Sequence, residues 1–152
     1  MSERVSASEI YSHDGIRDSL THLAAPPYFY ENLRREIASS TRNGQPLSVI
    51  KFIIQSDGSS YEDSILDFAS LLSKSFREED LIARMGKYEF TLLIRGTEEI
   101  ASQLSQRFIS SWSLGGNVNV TPSYAFVTKS AGETGLEMLD RLDLCTLLTP
   151  TF

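Results

Sequence analysis

Leu81 to Met85 and Phe90 to Ile94 are two apolar, β-prone runs with only Gly86, Lys87, Tyr88 and Glu89 between them. Runs joined so tightly can pair only as antiparallel neighbours, because a parallel crossover needs a connection of about a dozen residues or more. Gly86 supplies the turn, and the segment is expected to be a β-hairpin with a polar, solvent-exposed tip that tolerates change. Arg84 and Arg95 border it and read as solvated strand-end charges. Immediately before it stands Arg77-Glu78-Glu79-Asp80, an Arg-x-x-Asp that in isolation is an ordinary solvated turn.

The rest of the chain sorts around that hairpin by periodicity. Pro27 can open a helix in which Phe29, Leu33 and Ile37 recur every four residues, ending near Arg42 before Asn43-Gly44. Leu47 to Ile54 is nearly continuous in apolar residues, Lys51 being its only charge, which predicts a central strand covered on both faces. Ser56 to Ser60 reads as a turn that caps the next helix; it could also hold a phosphate, but it lacks the Gly-Lys-Ser/Thr ending of a P-loop. A helix over 61–76 carries Ile65, Phe68, Ala69, Leu72 and Phe76 on one face. Beyond the hairpin, Gly96-Thr97-Glu98-Glu99 opens a helix lined by Ile100, Leu104, Phe108 and Trp112. Val118 to Val127 is a strand in which Pro122 demands an edge or a bulge. A last helix over 133–148 turns Leu136, Leu139 and Leu142 inward.

Composition excludes several classes. At 152 residues, 41% hydrophobic and 22% charged, the chain suits one globular domain without staples. Cys145 is the only cysteine and reads as a buried, inert thiol. His13 and His22 stand apart with no metal-ligand spacing around them, so neither metal nor cofactor is expected. A formal net charge of −6 argues against DNA, RNA or anionic membranes as partners. Neither an apolar leader nor a run of eighteen apolar residues is present, so a cytoplasmic protein without membrane insertion is expected.

The hairpin closely resembles the signature hairpin of the GGDEF (diguanylate cyclase) family, whose Gly-Gly-Asp/Glu-Glu-Phe turn falls here on Gly86, Lys87, Tyr88, Glu89 and Phe90. Upstream, Asp18, Leu20, Thr21, Leu23 and Phe29 match the family's Asp-x-Leu-Thr-Gly-Leu-x-Asn-Arg-x-x-Phe, with His22, Ala25 and Pro26 replacing the Gly, Asn and Arg. The resemblance spans roughly 18–143. It implies an α/β (α+β) fold like the palm of nucleotidyl cyclases, a central mixed sheet of four or five strands flanked by helices, with 1–17 as a flexible lead and 18–152 as the domain.

What the resemblance implies for catalysis is loss. Phosphoryl transfer rests on positioning and charge stabilisation, so a cyclase needs metal-binding carboxylates and cations on the triphosphate. The family's strand carboxylates fall on Ile53 to Gln55, and the hairpin metal carboxylate falls on Tyr88. Lys87 stands where a second Gly would admit the phosphates. The guanine-recognising segment has no counterpart between Gln55 and Tyr61, and the phosphate-binding Lys falls near Pro150. Only Glu89 survives, and the chain is expected not to be an enzyme.

Binding chemistry fares better. In the family an Arg-x-x-Asp in this register forms an inhibitory site for the product, cyclic di-GMP, and Arg77 and Asp80 match it, with Arg107 aligning with a further arginine. Guanidinium offers a planar donor fork for the O6 and N7 of guanine, and a carboxylate accepts from its amine and imide. The resemblance therefore implies a catalytically inactive GGDEF domain that acts as a cyclic di-GMP receptor, with ligand-dependent homodimerisation because this site can bridge two domains. The alternative is a GGDEF-like module that binds no ligand and contacts a partner protein through Lys87 and Tyr88.

Overall fold

The computed structural model describes residues 11–56, 61–115 and 120–150. The order is α1 (Pro26–Asn43), β1 (Ser48–Ser56), α2 (Tyr61–Ser75), β2 (Leu81–Gly86), β3 (Glu89–Ile94), α3 (Glu98–Leu114), β4 (Val120–Thr128) and α4 (Gly135–Asp143). The strands lie side by side as β2-β3-β1-β4, so the apolar run around Ile50 does become a central strand. Every pairing between these strands is antiparallel. Among the described residues, parallel pairing enters only at the outer edge of β2, where Ala24 bridges Ala83.

Strand alternation sends successive β1 side chains to opposite faces. Ile50, Phe52 and Ile54 meet Phe68 of α2 and Phe108 and Trp112 of α3 on one face. Val49 belongs to the other, with Phe29 and Leu33 of α1 and Met138 and Leu142 of α4. The aromatic side is tightly interlocked, with the Phe68 ring centroid 5.0 Å from those of both Phe108 and Trp112. Pro122 lies on the edge strand β4. Two residues on, the Tyr124 N–H donates outward to the Leu148 carbonyl at 2.9 Å, so the N–H that proline lacks falls on the outer side and no ladder bond is lost.

Local signals set the helix ends. Gly44 closes α1 at φ 70°, its N–H donating to the Ser40 carbonyl, and Thr134 with Glu137 forms a capping box at α4. That box starts α4 later than expected, and the helix stops at Asp143, well short of Leu148. In so short a helix Met138 and Leu142, four apart, define the inward face, and Leu136 lies well around the axis, 70% exposed. Ile100 likewise faces solvent, because Ala101, Ser105, Phe108 and Trp112 form the inward stripe of α3. The turn expected to cap α2 lies over 57–60, outside the described residues.

Arg84 corrects the reading of solvated strand ends. Its side chain and that of Asp18 are both fully buried, with Nη1 3.1 and 3.2 Å from the two carboxylate oxygens. The other end of the fork, Nη2, donates to the Lys87 carbonyl at 2.8 Å. Tyr11 lies over the guanidinium, 5.1 Å from ring centroid to Cζ, and its hydroxyl donates to the Arg84 carbonyl. Burial pushes the Tyr11 phenol up to about 12. Arg95 does stay at the surface, held by Glu36 through bonds of 3.0 and 2.7 Å.

Removing one partner of a buried pair strands the other charge, so Arg84→Met is expected to destabilise the domain by about 3–5 kcal/mol in urea unfolding. The double variant Asp18→Asn, Arg84→Met should recover part of that loss. Simple addition of the two single effects would show that the side chains are not coupled.

Candidate functional site

The turn between α2 and β2 closes on itself. The Asp80 N–H donates to the Arg77 carbonyl at 3.0 Å, and the Arg77 N–H donates back to Asp80 Oδ2 at 3.0 Å. Asp80 thus spends one oxygen on the turn, and burial holds its carboxyl above the usual range, the bond from Arg77 opposing the shift. The Arg77 side chain is 81% exposed, with Glu79 3.8 Å away. These two residues line a groove of about 640 Å³ whose opposite wall is the segment before α1, with Arg17 and His22, and the first turn of that helix, with Tyr28.

That opposite wall is built by the buried pair. Asp18 Oδ2 accepts from the Thr21 N–H at 2.7 Å and the Thr21 hydroxyl at 2.8 Å, folding the chain into a tight turn. His22 completes the turn at φ 60°, a left-handed conformation that a side chain takes up only at some cost. Arg17 Nη1 then donates to the His22 carbonyl at 2.9 Å.

A second cluster lies where β1 meets the hairpin. Ile53 pairs with Glu89, and the Ile54 N–H donates to the Tyr88 carbonyl at 2.9 Å. Tyr88 is half-buried and packs against the aromatic core, so the tip is not the open loop expected; only Lys87 is fully at the surface. Lys51, 7% exposed, reaches Asp143 Oδ1 at 3.2 Å. Lys51 pairs with Thr91 and Ile53 with Glu89, so Lys51 and Glu89 are diagonal neighbours on one face. Burial raises the Glu89 carboxyl above its ordinary value, Lys51 pulls it down and Asp143 pushes it up. Among the described residues no group of three or more His, Cys, Asp or Glu side chains could hold a metal ion.

The profile of the family described as "Diguanylate cyclase, GGDEF domain" matches residues 15–134. The chain belongs to the GGDEF family. Its fold is similar to the GGDEF domain of DgcB from Caulobacter crescentus in complex with c-di-GMP, at TM-score 0.74 and 20% identity over 87% of this chain and 88% of that one. It is also similar to the FimX GGDEF domain from Pseudomonas aeruginosa, at TM-score 0.75 and 18% identity over 85% and 90% of the two chains. A third similar structure is the diguanylate cyclase SiaD in complex with its activator SiaC, from P. aeruginosa, at TM-score 0.73 and 23% identity over 84% of this chain and 55% of that one. Comparison with curated proteins gives no significant match.

In this GGDEF domain the expected site residues are therefore divided. Arg77 and Asp80 share one turn and one groove. Arg107 is exposed on α3 and does not line that groove; the link between the two regions is the Phe76 and Phe108 ring pair, with centroids 6.0 Å apart. Gly86 to Phe90 form the hairpin turn and the start of β3. Arg17 and Tyr28 also line the groove; no motif singles them out, and they reach it only because Ala24 is docked on β2.

Two outcomes are expected at the hairpin. Tyr88→Ala should cost about 1–2 kcal/mol in chemical unfolding, more than an exposed tip would lose and less than full burial of a large side chain contributes. Glu89 has a raised folded pKa, so the folded state holds its proton more tightly and stability falls as pH rises from the unfolded carboxyl value through the folded one. Glu89→Gln should raise the melting temperature at neutral pH, with the gain vanishing in acid below the ordinary carboxylate range.

Proposed function

We propose that this domain is a receptor for cyclic di-GMP that has lost cyclase activity, and that Arg77 and Asp80 hold the ligand. The observation that carries this is the closed Arg77 to Asp80 turn set on the wall of a groove of about 640 Å³, with the arginine fork exposed and one carboxylate oxygen of Asp80 not used by the turn. Loss of catalysis is supported by the junction of β1 and the hairpin, where Ile53 and Tyr88 occupy the positions expected to carry metal carboxylates: isoleucine has no oxygen to offer Mg²⁺, and tyrosine puts a phenol in place of a carboxylate. A c-di-GMP complex of a similar GGDEF domain is consistent with the ligand class. Arg107, outside the groove, enters this reading by reaching the ligand from a second copy in a bridged dimer.

A second reading is favoured by one observation. An apolar groove of about 720 Å³ runs between α1 and α4, walled by Leu33, Ile37, Leu136 and Leu139, as an interaction module would need.

Calorimetry decides between them. Wild type should bind cyclic di-GMP in the micromolar range or tighter, and Arg77→Ala should weaken binding about tenfold to a hundredfold, as loss of a charge-assisted donor worth about 1.5–3 kcal/mol implies. Asp80→Asn keeps an acceptor for the turn while removing the charge, and should weaken binding and erode preference over cyclic di-AMP. Arg107→Ala should spare affinity and abolish ligand-dependent dimerisation. Incubation with GTP and Mg²⁺ should yield no cyclic di-GMP. An absence of wild-type binding would leave the interaction module in its place, and product formation would overturn the inactive assignment.

A further inference from the structure

The groove beside Arg77 has two walls, and only one of them carries the Arg-x-x-Asp. Cyclic di-GMP presents two guanine bases and two phosphodiester anions, and a single arginine that reads a base edge leaves the phosphates unneutralised. The far wall offers what is missing. Arg17 lines the same cavity, and its position is fixed three ways: its N–H is held by Asp14 Oδ1 at 2.8 Å, its backbone bridges Ala24, and Nη1 is anchored on the His22 carbonyl. Anchoring consumes one corner of the guanidinium and leaves the rest of the fork at the surface. Tyr28, in the first turn of α1, is 42% exposed on that wall despite its aromatic bulk. At the rim, Arg17 and Arg77 offset Glu78 and Asp80, so an anion meets a balanced site on a chain whose formal net charge is −6.

We propose that cyclic di-GMP is gripped across this groove, with Arg17 on a phosphodiester and the Tyr28 ring under a guanine base, opposite Arg77 and Asp80. This rests on the receptor reading above and adds to it a second set of binding residues, from the segment before α1 and the first turn of that helix. Phosphate suits Arg17 because a fixed guanidinium donates charge-assisted hydrogen bonds without first being ordered. A phenol ring stacks on any base, so Tyr28 contributes affinity with little base preference.

The test is calorimetry with cyclic di-GMP on the full chain, as wild type, Arg17→Gln, Tyr28→Leu and Arg77→Ala, at low and high salt, with melting temperatures as a check on folding. Gln keeps an N–H for the His22 carbonyl and Leu keeps apolar bulk, so both variants should melt close to wild type. Arg17→Gln should weaken binding about tenfold at low salt and flatten its salt dependence, the signature of a lost phosphate contact. Tyr28→Leu should weaken binding several-fold and leave the salt dependence intact. If Arg77→Ala weakens binding while Arg17→Gln and Tyr28→Leu bind as wild type does, the ligand sits on the turn alone: this inference falls and the receptor reading stands. If wild type does not bind, both fall together.

Discussion

Two ionised side chains, Asp18 and Arg84, are removed completely from water in the middle of this domain, and the placement of both walls of the groove depends on their meeting. Burying such charges is expensive, and the mutual attraction only offsets the loss when the remaining donors and acceptors are used. Most are: Asp18 takes up Arg84, Thr21 and the Leu20 N–H, and Arg84 also binds the Lys87 carbonyl, while Nε has no partner among the described residues and Tyr11 covers the guanidinium. The pair is better understood as a device for geometry than for stability. It locks the turn before α1 to β2 and, through Lys87, to the hairpin tip. Shifting either would move Arg17 and His22 away from Arg77.

At the other end of the hairpin the same sheet is arranged to settle charge internally. Lys51, a lone cation on a buried strand, lies diagonal to Glu89 and pairs with Asp143. One ammonium lies between these two carboxylates, with Ile53 and Tyr88 alongside, so the junction keeps its charges within reach of one another although burial still holds the Glu89 carboxyl above its ordinary value. The groove beside Arg77 is more open, since its guanidinium fork is 81% exposed with Glu79 3.8 Å away at the surface, and one oxygen of Asp80 is not used by the turn. Groups that stay open to solvent are what a ligand can use, and that difference in exposure separates the two ends.

Much of this was legible along the chain. The hairpin followed from two β-prone runs four residues apart, the central strand from an apolar run with Lys51 alone in it, and the stripe Ile65, Phe68, Ala69, Leu72 and Phe76 from helical periodicity. The Arg77 and Asp80 turn could be read for the same reason, because both partners lie within one local segment. The misjudged features share the opposite property. Arg84 looked like a strand-end charge because its partner is 66 residues away, and Tyr88 looked like a loop tip because the core it touches is assembled from other elements.

The sequence by itself determined the elements, their periodicities and the residue types available for guanine or phosphate. Those depend on contacts within a few residues, and local spacing records them. Only the tertiary structure decided which of those residues share a groove. It docks Ala24 on the edge of β2, which brings Arg17 and Tyr28 into the groove with Arg77, and it leaves Arg107 outside, on α3. The physical reason is that a groove is a relation between segments. Its walls are set by strand order and by a buried ion pair between distant residues, and neither is written in the spacing of any one stretch.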